Sequence, residues 1–202
     1  MLNIFLRVIE QALRENAPGC TEKARLGAVS FVHRFGSALN DHLHFHCCVI
    51  DGVFEPGSDG KETVRFHETL LTEVDIQQVQ VQVRQRVLRW FARQGYLDRD
   101  DAKEMAQWGN GGGFSVDASV RIEGHDRAGL ERLLRYCARP PFALERLESI
   151  DEQRLLYRLP KPMPDGRTAL TLTPLEFIQR LAALIPPPRS HRHRYHGVLA
   201  PN

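Results

Sequence analysis

Histidine alternates with apolar residues in His42-Leu43-His44-Phe45-His46, and the run continues into Cys47-Cys48-Val49-Ile50-Asp51-Gly52. Successive side chains of a β-strand point to opposite faces, so period-two alternation predicts a strand here. The three histidines then share one face, and Leu43, Phe45 and Cys47 occupy the other. Same-face neighbours lie about 6.6 Å apart along a strand, close enough for two imidazoles to converge on one ion, whereas residues about 13 Å apart cannot share it. A metal pair is therefore either His42 with His44 or His44 with His46. The competing reading is a half-exposed strand whose histidines simply face water. Three in register between apolar residues favour a site.

The preceding stretch, Leu26-Gly27-Ala28-Val29-Ser30-Phe31-Val32-His33-Arg34-Phe35, is β-branched and aromatic, and Gly36 to Asp41 supplies loop residues. Together with the histidine strand it reads as a hairpin. A loop centred between Ala38 and Leu39 sets His33 opposite His44, and directly opposed residues share a face. His33 is therefore a candidate third ligand. A slip of one residue would turn it to the other face.

A chain of 202 residues with 42% hydrophobic and 26% charged content can bury a core, and it reads as one domain with a small appendage. The division expected is residues 1–143 for the main domain and 144–202 for an extension holding a hairpin, a helix and a basic tail. A net charge of +2 does not by itself point to nucleic acid. The cysteines, Cys20, Cys47, Cys48 and Cys137, show no Cys-x-x-Cys spacing and read as reduced thiols. No apolar run approaches the ~20 residues of a membrane span, and no secretory signal opens the chain, so the expected location is the cytoplasm, with no membrane partner.

Apolar periodicity predicts helices over Asn3–Arg14 and Thr72–Gln94, the second with a stripe of Ile76, Val79, Val83, Val87, Trp90 and Phe91. A shorter helix follows Asp98. Glu62–Glu68 alternates as a strand expected to pair with the histidine strand, with His67 a lesser ligand candidate. Phe114–Ile122 alternates as a further strand. Near the end, Arg154–Leu159 and Arg167–Leu172 read as a hairpin, Pro174 opens a helix to Leu184, and Arg189 to His196 is a basic tail with an interleaved aromatic, suited to phosphate contact.

The second functional candidate lies on the helix predicted from Arg127 to Arg139, which Pro140-Pro141 stops. Leu130, Leu133, Leu134 and Cys137 make its apolar stripe, Tyr136 sits at the margin, and Arg132, Arg135 and Arg139 crowd the opposite side. A tyrosine at that margin can reach a sheet face, and the arginines can hold phosphate. Its bland alternative is a core-edge tyrosine with a wet hydroxyl.

His44-Phe45-His46 after Arg34-Phe35-Gly36-Ser37-Ala38-Leu39-Asn40 and before Asp51-Gly52-Val53, then Arg135-Tyr136-Cys137-Ala138-Arg139-Pro140-Pro141, then Arg194-Tyr195-His196-Gly197-Val198-Leu199-Ala200-Pro201-Asn202, together resemble the rolling-circle transposases of the insertion-sequence-91 type. These belong to the HUH superfamily of tyrosine transposases. The resemblance implies an α+β fold, an antiparallel sheet flanked by helices, and a nuclease that cuts and rejoins single-stranded DNA. It implies His44 and His46 as metal ligands and Tyr136 as the nucleophile that forms a 5′-phosphotyrosine. The family commonly has glutamine at the position of His33. Expected partners are single-stranded DNA or hairpin element ends, contacted by Arg132, Arg135, Arg139, Arg192, Arg194, Tyr195 and His196, with a homo-oligomer left open.

Neutral imidazoles can hold a divalent ion that acts as a Lewis acid on phosphate, and a phenol needs such help to attack. Manganese tolerates nitrogen ligands better than magnesium, so Mn2+ is the expected cofactor ahead of Mg2+. Many family members carry two tyrosines with three residues between them, but Arg132 stands four before Tyr136; Tyr195 is the runner-up nucleophile. The family's upstream zinc module and downstream residues are not in this sequence, which suggests truncation at both ends. The alternative from another class is a catalytically silent remnant that only binds DNA; a metal hydrolase without covalent catalysis is a weaker third.

Overall fold

The computed structural model describes residues 1–57, 63–140, 143–185, 188–189 and 191–201. It is an α+β fold of antiparallel sheets flanked by helices. In chain order the elements are α1 (Leu2–Glu15), β1 (Gly27–Phe35), β2 (Asp41–Val49), β3 (Gly52–Pro56), β4 (Val64–Glu68), α2 (Glu73–Arg93), α3 (Arg99–Gln107), α4 (Arg127–Ala138), β5 (Leu147–Ser149), β6 (Leu155–Arg158), β7 (Ala169–Leu172), α5 (Pro174–Leu184) and β8 (His193–Gly197). The strands form sheets ordered β2-β1-β8, β3-β4 and β5-β6-β7. None of the described helices is long and apolar enough to cross a membrane.

The fold divides into two compact units, one of Met1–Ala28, Val49–Asp126 and Tyr195–Asn202, the other of Val29–Cys48 and Arg127–Arg194. In the first, α1 packs on α2 and on β3. Leu6, Ile9 and Leu13 bury one stripe of α1, and Val79, Val83, Val87 and Leu88 bury one stripe of α2. The N-terminus of α2 is fixed by a capping box in which the Thr72 hydroxyl accepts from the Asp75 amide while the Asp75 carboxylate accepts from the Thr72 amide. Between β3 and β4, the buried Glu55 carboxylate accepts from the Thr21 hydroxyl and, at 3.2 Å, from His67 Nε2. The Thr21 hydroxyl, ahead of the other hydrogen bonds, holds the Glu55 carboxyl below its ordinary range.

The second unit has its own core of Phe35, Leu39, Tyr157, Leu159, Leu170, Leu172, Phe177 and Leu184. It ties the hairpin tip to the β5-β6-β7 sheet and to α5, whose N-terminus carries a second capping box, Thr173 with Glu176, and Pro174 in its first turn. Within the first unit, the carbonyl of Leu26, just before β1, accepts from the amide of Val198, just after β8, at 2.9 Å.

Four expectations change. The strand of residues 64–68 pairs antiparallel with β3, Phe54 opposite Phe66, and not with the histidine strand. Residues 114–123 form no ladder; the Val116 amide donates to the Gln80 side chain and the Ser119 amide to Asp117, so side chains satisfy what a neighbouring strand would have. The basic tail contains β8. On α2, Trp90 is exposed, and Leu88 takes the buried place. Glu62, at the start of the strand expected over Glu62–Glu68, lies outside the described residues.

Candidate metal centre and its tyrosine

β1 and β2 place His33, His44 and His46 on one face of the sheet, as the period of a strand requires. One nitrogen from each lies within 4.8 Å of the others. The His33 ring centroid is 5.1 Å from that of His44 and 4.6 Å from that of His46. Three imidazole nitrogens bound to one ion at about 2.1 Å lie about 3.4–3.6 Å apart, so the rings would close by up to about 1 Å round an ion. His42 is outside the cluster but serves it, because its carbonyl accepts from His44 Nδ1 at 3.1 Å. That bond leaves His44 Nε2 as the lone-pair nitrogen.

His33 is 2% exposed, and its Nε2 donates to the Cys137 carbonyl at 2.6 Å. The carbonyl can only accept, so the proton sits on Nε2 and Nδ1 carries the lone pair. His33 Nδ1 and His46 Nε2 are buried and have no hydrogen-bond partner. Such groups cost about 1–3 kcal/mol unless something satisfies them. Backbone carbonyls that orient the rings and leave the remaining nitrogens unsatisfied are the kind of partners that metal-binding histidines have, so the three residues could hold an ion.

Burial lowers the pKa of all three histidines; the positive neighbours add to this, and His46, among His33, His44 and Arg139, is pushed down to about 4. At neutral pH the cluster is a set of neutral imidazoles with free lone pairs. Burial also raises the thiols of Cys47 and Cys137 to about 12, so they pack as uncharged groups.

The apolar stripe of α4 brings Tyr136 to this face. Its ring meets His46 edge-on with centroids 5.6 Å apart, and the Arg139 guanidinium stacks on it at 4.2 Å from the centroid. Tyr136 is 48% exposed, which leaves the phenol open to a substrate. Arg192 donates to the carbonyls of Arg139 at 3.1 Å and Ala138 at 3.5 Å, neutralising the end of α4 and holding its last turn. A cavity of about 550 Å³ beside the cluster is lined by His44, Arg139, Asn40 and Arg146.

The other candidate contacts are dispersed. Arg132 and Arg135 are exposed on α4, Arg135 paired with Glu131 at 2.7 Å. Arg194 is exposed on β8, and Tyr195 and His196 belong to the first unit. His67 is engaged with Glu55. Sequence reasoning missed the roles of the Cys137 carbonyl and Arg192. A carbonyl has no sequence signature, and Arg192 read as a DNA contact in the basic tail.

A protein-family model described as “Putative transposase” matches residues 27–202. Neither the curated proteins nor the solved structures give a match.

Proposed function

The chain belongs to the transposase family matched over residues 27–202, and from that premise we propose that it nicks and rejoins single-stranded DNA, with Tyr136 as nucleophile and His33, His44 and His46 holding a divalent ion, in rolling-circle transposition. DNA as partner follows from the family. The reading beyond that rests on one observation: three imidazoles gather their nitrogens within 4.8 Å beside an accessible tyrosine, and two of the rings carry a buried nitrogen without a partner.

A divalent ion bound there would supply Lewis-acid polarisation of a phosphate oxygen. Three nitrogen donors suit manganese or another transition ion better than magnesium. The residues of the chain do the rest. Tyr136 Oη attacks phosphorus and gives up its proton, the bond from phosphorus to the 3′ oxygen breaks, and that oxygen takes a proton to leave as a hydroxyl. The 5′ phosphate stays on the tyrosine, so the bond energy is kept for rejoining without ATP. Arg139, stacked on the Tyr136 ring, fixes the direction of its hydroxyl. The carbonyls of Cys137 and His42 hold two of the imidazoles in the tautomer that leaves lone pairs inward.

The test is denaturing-gel detection of a covalent complex between the protein and labelled single-stranded DNA carrying element ends, with Mn2+. The expected result is an adduct lost in both Tyr136→Phe and His44→Ala. An adduct that survives Tyr136→Phe overturns the nucleophile and points to Tyr195. Binding without any adduct marks a DNA-binding remnant.

A further inference from the structure

On the side of the β1-β2 hairpin away from the histidine cluster, the second unit carries a groove of about 580 Å³. Arg34 follows His33 on β1 and Leu43 lies between His42 and His44 on β2, so alternation turns both away from the cluster. Arg192, Arg194, Leu184 and Ile185 complete the walls.

Two properties of the lining point to one class of occupant. Its charge is one-sided: three arginines with His42 and His191 face the single carboxylate of Asp41, and neither Arg34 nor Arg194 forms an ion pair among the described residues. Its floor is apolar and wet, Leu43 being 51% and Ile185 69% exposed. Phosphates answer the first property and unstacked bases the second, which is the pairing by which single-stranded nucleic acid is held. The groove also shares Phe35 and His42 with the cavity that opens on His44 and Arg139. Because β2 is an edge of its sheet, no further strand among the described residues blocks the way between them.

We propose that this groove is a second binding site for single-stranded DNA, taking the strand that leaves the tyrosine cavity round His42 and holding its phosphates on Arg34 and Arg194 and a base on Leu43 and Ile185. The proposal rests on the reading of the chain as a single-strand transposase.

The experiment is fluorescence anisotropy of labelled oligothymidylates of increasing length against the full chain carrying Tyr136→Phe, so that no covalent capture enters. Affinity is expected to rise with length until the groove is filled. Arg34→Glu is expected to weaken the long oligonucleotide by about tenfold and to reduce the slope of log affinity against log salt by about 0.7, the value for one lost single-strand phosphate contact. Ile185→Ser is expected to weaken binding without changing the slope. Arg99→Glu on α3 sets the effect of the same charge reversal elsewhere. Thermal melting establishes that each variant is folded, and Arg34→Gln replaces Arg34→Glu if the latter is not. Affinities and slopes equal to those of the parent in folded Arg34 and Ile185 variants overturn the proposal, as does duplex binding equal to that of single strands. Failure of the parent chain, with Tyr136 intact, to form an adduct would sink the tyrosine mechanism and leave these binding results standing.

Discussion

His33 Nε2 donates to the Cys137 carbonyl at 2.6 Å, joining a buried ring on β1 to the residue that follows Tyr136. One hydrogen bond thus fixes both the tautomer of a ligand candidate and the last turn of the helix that carries the candidate nucleophile. His33→Ala removes the ring and strands the carbonyl, and it should cost about 2–4 kcal/mol of stability in urea unfolding. His33→Gln can still donate to that carbonyl and present an oxygen inward. It should keep most of the stability, and equal losses in both variants would contradict the role given to this bond.

Metal binding should be visible as stabilisation before any DNA is added. An ion that binds only the folded chain raises stability by RT ln(1 + [L]/Kd), about 2.7 kcal/mol at a hundredfold excess over Kd. Mn2+ should therefore raise the melting temperature of the parent chain and leave that of His46→Ala where it was. Calorimetric scans with and without the ion check this, and an equal rise in both would remove the histidines from the site.

The metal-free chain should lose stability in mild acid. Unfolded, His46 takes up a proton near pH 6.5; folded, burial and its positive neighbours hold that uptake down to about pH 4. The contribution of the neutral ring is therefore complete above about pH 6.5 and is lost as the pH falls toward about 4. His33 and His44 act in the same direction. His46→Asn should flatten the pH dependence of the unfolding midpoint across this window, and an unchanged slope would count against it.

Gly197 sits at the end of β8 with φ +59°, and a Cβ there would collide with the Leu26 carbonyl oxygen. That oxygen is the acceptor of the Val198 amide. Gly197→Ala combines left-handed strain with the loss of this closure and should cost at least about 1–2 kcal/mol. The same substitution at Gly95, also left-handed but with open space around it, pays the backbone strain alone. Chemical unfolding of the two variants should rank Gly197→Ala as the more damaging.

Side-chain periodicity made most elements legible. The spacing from Thr72 to Gln94 gave α2 to within a residue at each end, and Pro174 to Leu184 gave α5, because caps and stripes are local. Alternation in residues 42–46 put the histidines on one face but left His42 with His44 and His44 with His46 both open, and the hairpin loop made His33 a candidate; the structure gathers His33, His44 and His46. Alternation does not say who the hydrogen-bond partner is. Phe114 to Ile122 has the pattern of a strand but no neighbouring strand to pair with, and Val64 to Glu68 found β3 because Gly52 starts a separate strand after the histidine run. The tail at His193 to Gly197 reads as polar because its charges face water, yet its backbone completes the ladder beside β1. The Cys137 carbonyl and the Arg192 clamp were not legible, since one depends on a ring of β1 and the other on the tail meeting the end of α4.

Among the described residues, β2 is hydrogen-bonded in its sheet on one side only. A strand so placed is the first to peel, and its amides should exchange with deuterium sooner than those of β1. The three imidazoles come from these two strands, so an ion among them would act as a rivet through the edge, and the protection of the β2 amides becomes a direct gauge of its occupancy.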